Sequence, residues 1–195
     1  MNTEIKSFTG YHCTESSNAD KIVKFKYYVE SDGEHQWLGN GVYFFINERL
    51  DDAKTTAKKW GKFIKCYSCF GIVETGIKTS VDRIINLDEQ EWKDFYIDLF
   101  ETYINKAVSE GIVFTSQRQL DNAVINDICS ECDDFDMVIQ SRYVNFIKSK
   151  YKDKYKNIYN NLGRNIAIPS SSVPNCTLLC VKKREIIEKS TIKLV

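Results

Sequence analysis

The chain carries two histidines, His12 and His35. Of the unperturbed side chains, only imidazole changes charge near neutral pH, so the histidines are where a search for chemistry begins. His12 stands in Gly10-Tyr11-His12-Cys13-Thr14. About 30 residues on comes Trp37-Leu38-Gly39-Asn40-Gly41-Val42-Tyr43-Phe44-Phe45, a tight turn running into an aromatic strand. The seven cysteines include two C-x-x-C pairs, Cys66/Cys69 and Cys129/Cys132, which have zinc-ligand spacing. Their separation far exceeds that of a compact zinc ribbon. Cys66 and Cys69 also fall in a strand-like run, where a three-residue spacing puts them on opposite faces. Ordinary core and surface thiols are the simpler account, and no metal is expected. Glu89-Gln90-Glu91 follows Asp88 at the start of a helix, where the dipole favours acidic residues. The cluster Asp127, Glu131, Asp133, Asp134 and Asp136 reads as a solvated loop rather than a cation site.

The elements that must position these groups follow from hydrophobic periodicity. A short strand over 5–8 leads into His12. Ser16, Ser17 and Asn18 offer caps to a helix with Ala19, Ile22 and Val23 on one side. Residues 27–30 are extended and 31–34 form a turn. The aromatic strand covers 42–45, a helix covers 51–60 (Ala53, Ala57 and Trp60 on one face), and 63–73 is β-like. The strongest helix spans about 88–108, with Trp92, Phe95, Tyr96, Leu99, Tyr103, Ile104 and Ala107 as a core stripe. Another helix covers 119–129 with Leu120, Val124, Ile125 and Ile128. Residues 135–147 are mostly β, 148–160 form an exposed loop, 176–181 a buried strand and 191–195 an edge strand. Strands and helices mix without regular βαβ alternation, so the class is α+β with largely antiparallel sheets. No G-x-G-x-x-G follows a strand and no Walker loop is present. The chain reads as a single domain over 1–195 with a helical elaboration at about 88–130.

The two segments around His12 and Tyr43 together resemble the ADP-ribosyltransferase superfamily, in the His-Tyr-Glu branch related to poly(ADP-ribose) polymerases. That branch shows a Y-H-G-[ST] segment, here Tyr11-His12-Cys13-Thr14, and a G-x-G-[IV]-Y-F segment, here Gly39 to Phe44. Ser31 before Trp37 looks like the connecting strand of small bacterial relatives. The likeness covers residues 10–60 and is thin afterwards. It implies two largely antiparallel sheets forming a central NAD cleft, with flanking helices. NAD would be a co-substrate, cleaved between nicotinamide and ribose through an oxocarbenium-like transition state, where positioning supplies much of the catalysis. By the same resemblance His12 bonds a ribose hydroxyl, and the backbone of Cys13, in place of the usual Gly, holds the nicotinamide carboxamide. Thr14 supports the turn. Tyr43 stacks on the nicotinamide and Trp60 flanks its other face. Gly39 and Gly41 let the backbone approach the ligand.

The family's third motif supplies a glutamate from a late strand. The pattern laid on Pro174 to Val181 places Thr177 or Leu178 there, and neither does carboxylate work. Members with an apolar residue at that position transfer a single ADP-ribose, so the resemblance implies a mono-ADP-ribosyltransferase. Its acceptor would be a macromolecule, protein or nucleic acid. Glu34, Asp133 and Asp136 are substitutes for the carboxylate without strong support. Glu89-Gln90-Glu91 matches the E-x-E of the toxin-like branch of the superfamily only superficially. Small stand-alone relatives resemble toxins or anti-phage effectors, which implies an antitoxin or inhibitor partner. The alternative is a non-catalytic module that binds NAD or ADP-ribose. An RNA 2′-phosphotransferase on the related fold needs basic side chains at the site, and the sequence shows no such set beside His12 and Tyr43.

Composition bounds the remaining choices. Of the 195 residues, 43% are hydrophobic, enough for a packed core and against wholesale disorder. Lysine plus arginine equals aspartate plus glutamate, 27 each, so net charge argues for neither a nucleic-acid nor a membrane partner. Arg142, with the lysines and tyrosines of 148–160, nevertheless has the composition to track phosphates and stack bases. No apolar run is long enough to span a bilayer and the N-terminus has no signal-peptide core. A cytoplasmic protein with reduced thiols is expected.

Overall fold

The computed structural model describes residues 4–34, 36–48, 52–131, 134–146 and 171–195. The fold is α+β, with four α-helices and a mixed seven-stranded sheet among the described residues. The strands are β1 (Ile5–Glu15), β2 (Val42–Ile46), β3 (Phe70–Ser80), β4 (Ile84–Asn86), β5 (Met137–Arg142), β6 (Cys176–Val181) and β7 (Ile187–Leu194). Their order across the sheet is β4-β5-β6-β2-β1-β3-β7. All neighbouring pairs are antiparallel except β4 with β5. β2 and β6 occupy the middle because their sequences, VYFFI and CTLLCV, are apolar on both faces and suit burial from both sides.

Period-two alternation splits these strands between two cores. Phe44, Ile46, Leu179 and Ile139 join Ala19 and Ile22 of α1 (Ser16–Phe25) on one face. Phe45, Leu178, Cys180 and Val138 join residues of α2 (Ala53–Lys59) and α4 (Gln117–Glu131) on the other. α3 (Gln90–Glu110) lies outermost on this second face and packs against α4.

Where two sheets were expected there is one continuous sheet, joined across a short seam. β1 pairs with β2 at Gly10↔Ile46 and Tyr11↔Phe45. Beyond that, β1 follows β3 out to Glu15↔Phe70, and β2 follows β6 out to Val42↔Val181. The halves β7-β3-β1 and β2-β6-β5-β4 therefore part just past Tyr11. Gly10 allows the seam to close: a Cβ there would stand 2.9 Å from the Phe44 ring.

Several boundaries differ from the sequence reading. His12 lies within β1, not after a short strand, because pairing with β3 carries the polar residues Thr9 and Thr14 through. The segment read as β-like from Phe63 begins instead with a π-helical turn, Trp60–Ile64, and β3 starts only at Phe70. Cys66 and Cys69 consequently sit exposed in a loop, Cys66 with φ of 54°. Of the α3 stripe only Ala107 is buried; Trp92, Tyr96, Leu99 and Tyr103 are half-buried, while Phe95 and Ile104 are exposed. The β segment expected over 135–147 is shortened to β5. Asp136 pairs with Arg83 and accepts from Thr79 rather than lying in a solvated loop. The expected loop at 148–160, His35, Cys132 and Asp133 lie outside the described residues. Among the described residues, no group of three or more metal-ligating side chains gathers, and no helix is long and apolar enough to cross a membrane.

Candidate functional site

The parting of β1 and β2 leaves a gap, and His12 turns into it. Its Nδ1 lies 2.9 Å from the carbonyl oxygen of Tyr43 on the far strand. A carbonyl only accepts, so Nδ1 carries the proton and donates, which leaves Nε2 as an acceptor in the neutral ring. The ring is held edge-on by Tyr28 and Phe44, at centroid distances of 5.4 and 5.9 Å. Tyr28 is fixed in turn by a bond between its hydroxyl and that of Thr75. Burial lowers the His12 pKa below the usual histidine value, and the Tyr43 carbonyl opposes this only in part. At neutral pH the imidazole is uncharged.

Tyr43 is locked by its own turn. The Leu38 N–H donates to the hydroxyl at 2.7 Å, and the hydroxyl donates to the Gly39 carbonyl at 2.7 Å. Lys182 Nζ ties down the same turn through the carbonyls of Leu38 (2.6 Å) and Asn40 (2.7 Å). Desolvation drives the Tyr43 pKa far upward, so the phenol stays neutral and its ring serves as a fixed wall.

Both side chains line one cavity of about 310 Å³, at the small end of the range for small-molecule sites. Cys13, Thr14, Trp60 and Leu178 also line it. Trp60 opens the π-helical turn, a distortion often found at functional sites. It meets Trp37 at 5.3 Å and Phe45 at 6.0 Å between centroids. Cys13 fits in place of a glycine because it lies in extended β1 rather than at positive φ. Its thiol faces Gly61, where a Cβ would stand 2.4 Å from Sγ. Burial pushes that thiol up to about 11, so it is not a nucleophile at neutral pH.

Three expected residues, Gly39, Gly41 and Thr177, do not line the cavity. Gly41, at φ of 147°, bridges to Ser31, and a Cβ there would stand 2.4 Å from the Val181 carbonyl oxygen. Its lack of a side chain serves packing against β6, not ligand approach. Gly39 similarly turns beneath Asn126 and Lys182. Thr177 is buried opposite Ile46, with its hydroxyl 3.0 Å from Ser141 Oγ. The register therefore puts Leu178, not Thr177, on the cavity wall. Among the described residues, no carboxylate lines the cavity. Glu34 is at the surface near Gln119, Asp136 is committed to Arg83, and Glu89, at the N-cap position of α3, turns its carboxylate to accept from Asn86 rather than to cap the helix.

The cavity also holds residues that the sequence did not single out: Gln36, Lys65, Tyr67 and Arg118. Arg142 lies beside them, its guanidinium 5.3 Å from the Trp37 ring centroid. This corrects the view that no basic set accompanies His12 and Tyr43. No local pattern marks Lys65 or Arg118; they arrive from the ends of a π-helical turn and a helix far apart in sequence.

Comparison with known proteins adds one distant likeness. No protein-family model matches the chain, and no solved structure matches it. An uncharacterized protein of Methanocaldococcus jannaschii is 28% identical over 123 residues, covering 63% of this chain and 52% of that protein. The chain thus spans about half the length of the curated relative it matches.

Proposed function

We infer that the chain is a mono-ADP-ribosyltransferase with an ADP-ribosyltransferase-like fold, moving one ADP-ribose from NAD to a macromolecular acceptor. The observation that carries this reading is the shared cavity. His12 and Tyr43, 31 residues apart, meet across a split in the sheet with Trp60 beside them. Within it the neutral His12 offers Nε2 to a ribose hydroxyl, while its Nδ1–H keeps the ring aimed. The Tyr43 and Trp60 rings supply flat apolar surface for the nicotinamide. The bond from ribose C1′ to the nicotinamide nitrogen breaks, and nicotinamide leaves with the electron pair. An acceptor atom then bonds to C1′ and sheds its proton. The protein's part is to hold the ribose and the leaving ring in line and to exclude competing water.

The wall of Leu178 where the family pattern carries glutamate supports transfer of a single unit rather than polymer growth. The same absence of a carboxylate favours a second reading, a module that binds NAD or ADP-ribose without turnover. Labelled NAD mixed with the protein and a cell lysate separates the two. Label entering protein or nucleic acid, and lost with His12→Ala and Tyr43→Ala, is the result expected of a transferase. Tight binding with no covalent label identifies the module.

A further inference from the structure

Two arginines stand at the cavity mouth, and the proposed grip of His12, Tyr43 and Trp60 on a nicotinamide riboside does not use them. Arg118, second residue of α4, forms part of the cavity wall, with its guanidinium carbon 4.7 Å from the Trp37 ring centroid. Arg142, at the end of β5, comes to 5.3 Å of the same ring. Arg142 is anchored by donating to Gln140 Oε1 at 2.8 Å and to the Trp37 carbonyl at 3.4 Å. An open depression lined by Ser116, Gln117, Arg118, Asp121 and Arg142 shares Arg118 with the deep cavity. Lys65 adds a third cation on the cavity wall.

Two guanidinium groups gathered around one indole repel each other. Desolvation lowers the pKa of Arg142 and of the guanidinium of Arg118, a residue otherwise exposed, and the charge of Arg142 lowers that of Arg118 further. The carboxylate in the depression, Asp121, attracts Arg142 but accepts its hydrogen bond from the Tyr96 hydroxyl at 2.6 Å. Among the described residues, no ion pair joins either arginine to a carboxylate. Among the described residues the attraction of Asp121 does not offset the burial of Arg142, so an anion seated at the two guanidinium groups would relieve both. Guanidinium forks match the oxygens of a phosphate ester in geometry and charge. The nicotinamide ring of NAD, being cationic, gains nothing from them.

We propose that Arg118 and Arg142, beside Trp37, form a phosphate-ester subsite at the mouth of the cavity. The proposal deepens the ADP-ribosyl reading and rests on it only for the identity of the neighbouring ligand. The diphosphate of a dinucleotide seated in the cavity offers this chemistry. So does the backbone of a single-stranded nucleic acid laid across the mouth, where aromatic rings and cations together suit such a strand.

The test measures binding of three probes to the full chain: nicotinamide riboside, ADP-ribose and a dye-labelled single-stranded RNA of about ten nucleotides. Arg118 is exposed, so Arg118→Gln leaves the fold intact, which a thermal melt checks. The variant is expected to weaken a phosphate-bearing probe about tenfold, with partial recovery in Arg118→Lys, while nicotinamide riboside binds unchanged. Loss confined to ADP-ribose assigns the subsite to the dinucleotide. Loss confined to RNA, with the salt dependence reduced by about one counterion, assigns it to a strand. The proposal is overturned if neither phosphate probe binds the unaltered chain, if Arg118→Gln weakens neither, or if it weakens nicotinamide riboside equally. If the unaltered chain neither binds nicotinamide riboside nor releases nicotinamide from NAD, yet Arg118→Gln still weakens a phosphate probe, the ADP-ribosyl reading fails and the subsite stands.

Discussion

Tyr43→Phe separates what the hydroxyl of this residue does from what its ring does. The hydroxyl accepts from the Leu38 N–H and donates to the Gly39 carbonyl, each at 2.7 Å, in a largely buried setting. Neutral hydrogen bonds contribute about 1 kcal/mol each, and a stranded buried amide costs roughly 1–3 kcal/mol. The Gly39 carbonyl keeps a weak partner in the Cys180 thiol at 3.8 Å, so most of the penalty falls on the Leu38 N–H. One lost bond at Gly39 and the stranded Leu38 N–H together give a destabilisation of about 2–4 kcal/mol. For a chain of this size that lowers the melting temperature by roughly 4–16 °C. Urea unfolding should show an earlier midpoint with the same slope, since the surface exposed on unfolding is unchanged. The phenyl ring stays in place, so nicotinamide release below the melting transition should fall only a few-fold. A variant as stable as the parent would refute the structural role of the hydroxyl. A hundredfold loss of nicotinamide release with stability unchanged would show that the hydroxyl, not the ring, acts on the substrate.

Three further outcomes follow from the site. Gly61→Ala puts a Cβ 2.4 Å from Cys13 Sγ and should cost about 1–3 kcal/mol; Cys13→Ala in the same chain should recover most of it, a coupling that a double-mutant cycle of unfolding free energies measures. Stability should decline as pH falls below about 6.5, because the unfolded chain protonates His12 while the folded pKa is lower; the slope cannot exceed roughly 1.4 kcal/mol per pH unit, and His12→Asn should remove this component from paired unfolding curves. Timed alkylation with mass-spectrometric mapping should label Cys66 and Cys69 first, since both are exposed, and leave Cys13, Cys176 and Cys180 untouched until unfolding, because burial pushes those thiols up to between about 11 and about 12.

How much of this was legible beforehand depended on how local each signal is. The continuous apolar runs of β2 and β6 and the 3.6-residue period of α3 and α4 announced themselves, and the observed elements match within a few residues. β4 did not, because a three-residue strand, Ile84–Asn86, exists only through its parallel pairing with β5. The length of β1 is obscured by Gly10, a poor strand former in the middle of the run, which the full-length ladder to β3 carries through. His12, Tyr43, Cys13, Thr14 and Trp60 were identified together and line one cavity. Gly39, Gly41 and Thr177 stand off the cavity because the pairing of β6 with β2 and the packing of α4, both tertiary, decide their surroundings. Lys65, Arg118 and Arg142 are three among 27 basic residues, and only the fold brings them to the same mouth.

Chromatography of nicotinamide released from NAD by the purified chain tests the proposed departure of nicotinamide from between His12 and Tyr43. Slow, steady release that drops at least a hundredfold in His12→Ala and Tyr43→Ala, both confirmed folded by circular dichroism, is the predicted result. Release that is equal in all three proteins, or absent from the unaltered chain under every acceptor condition, would contradict it.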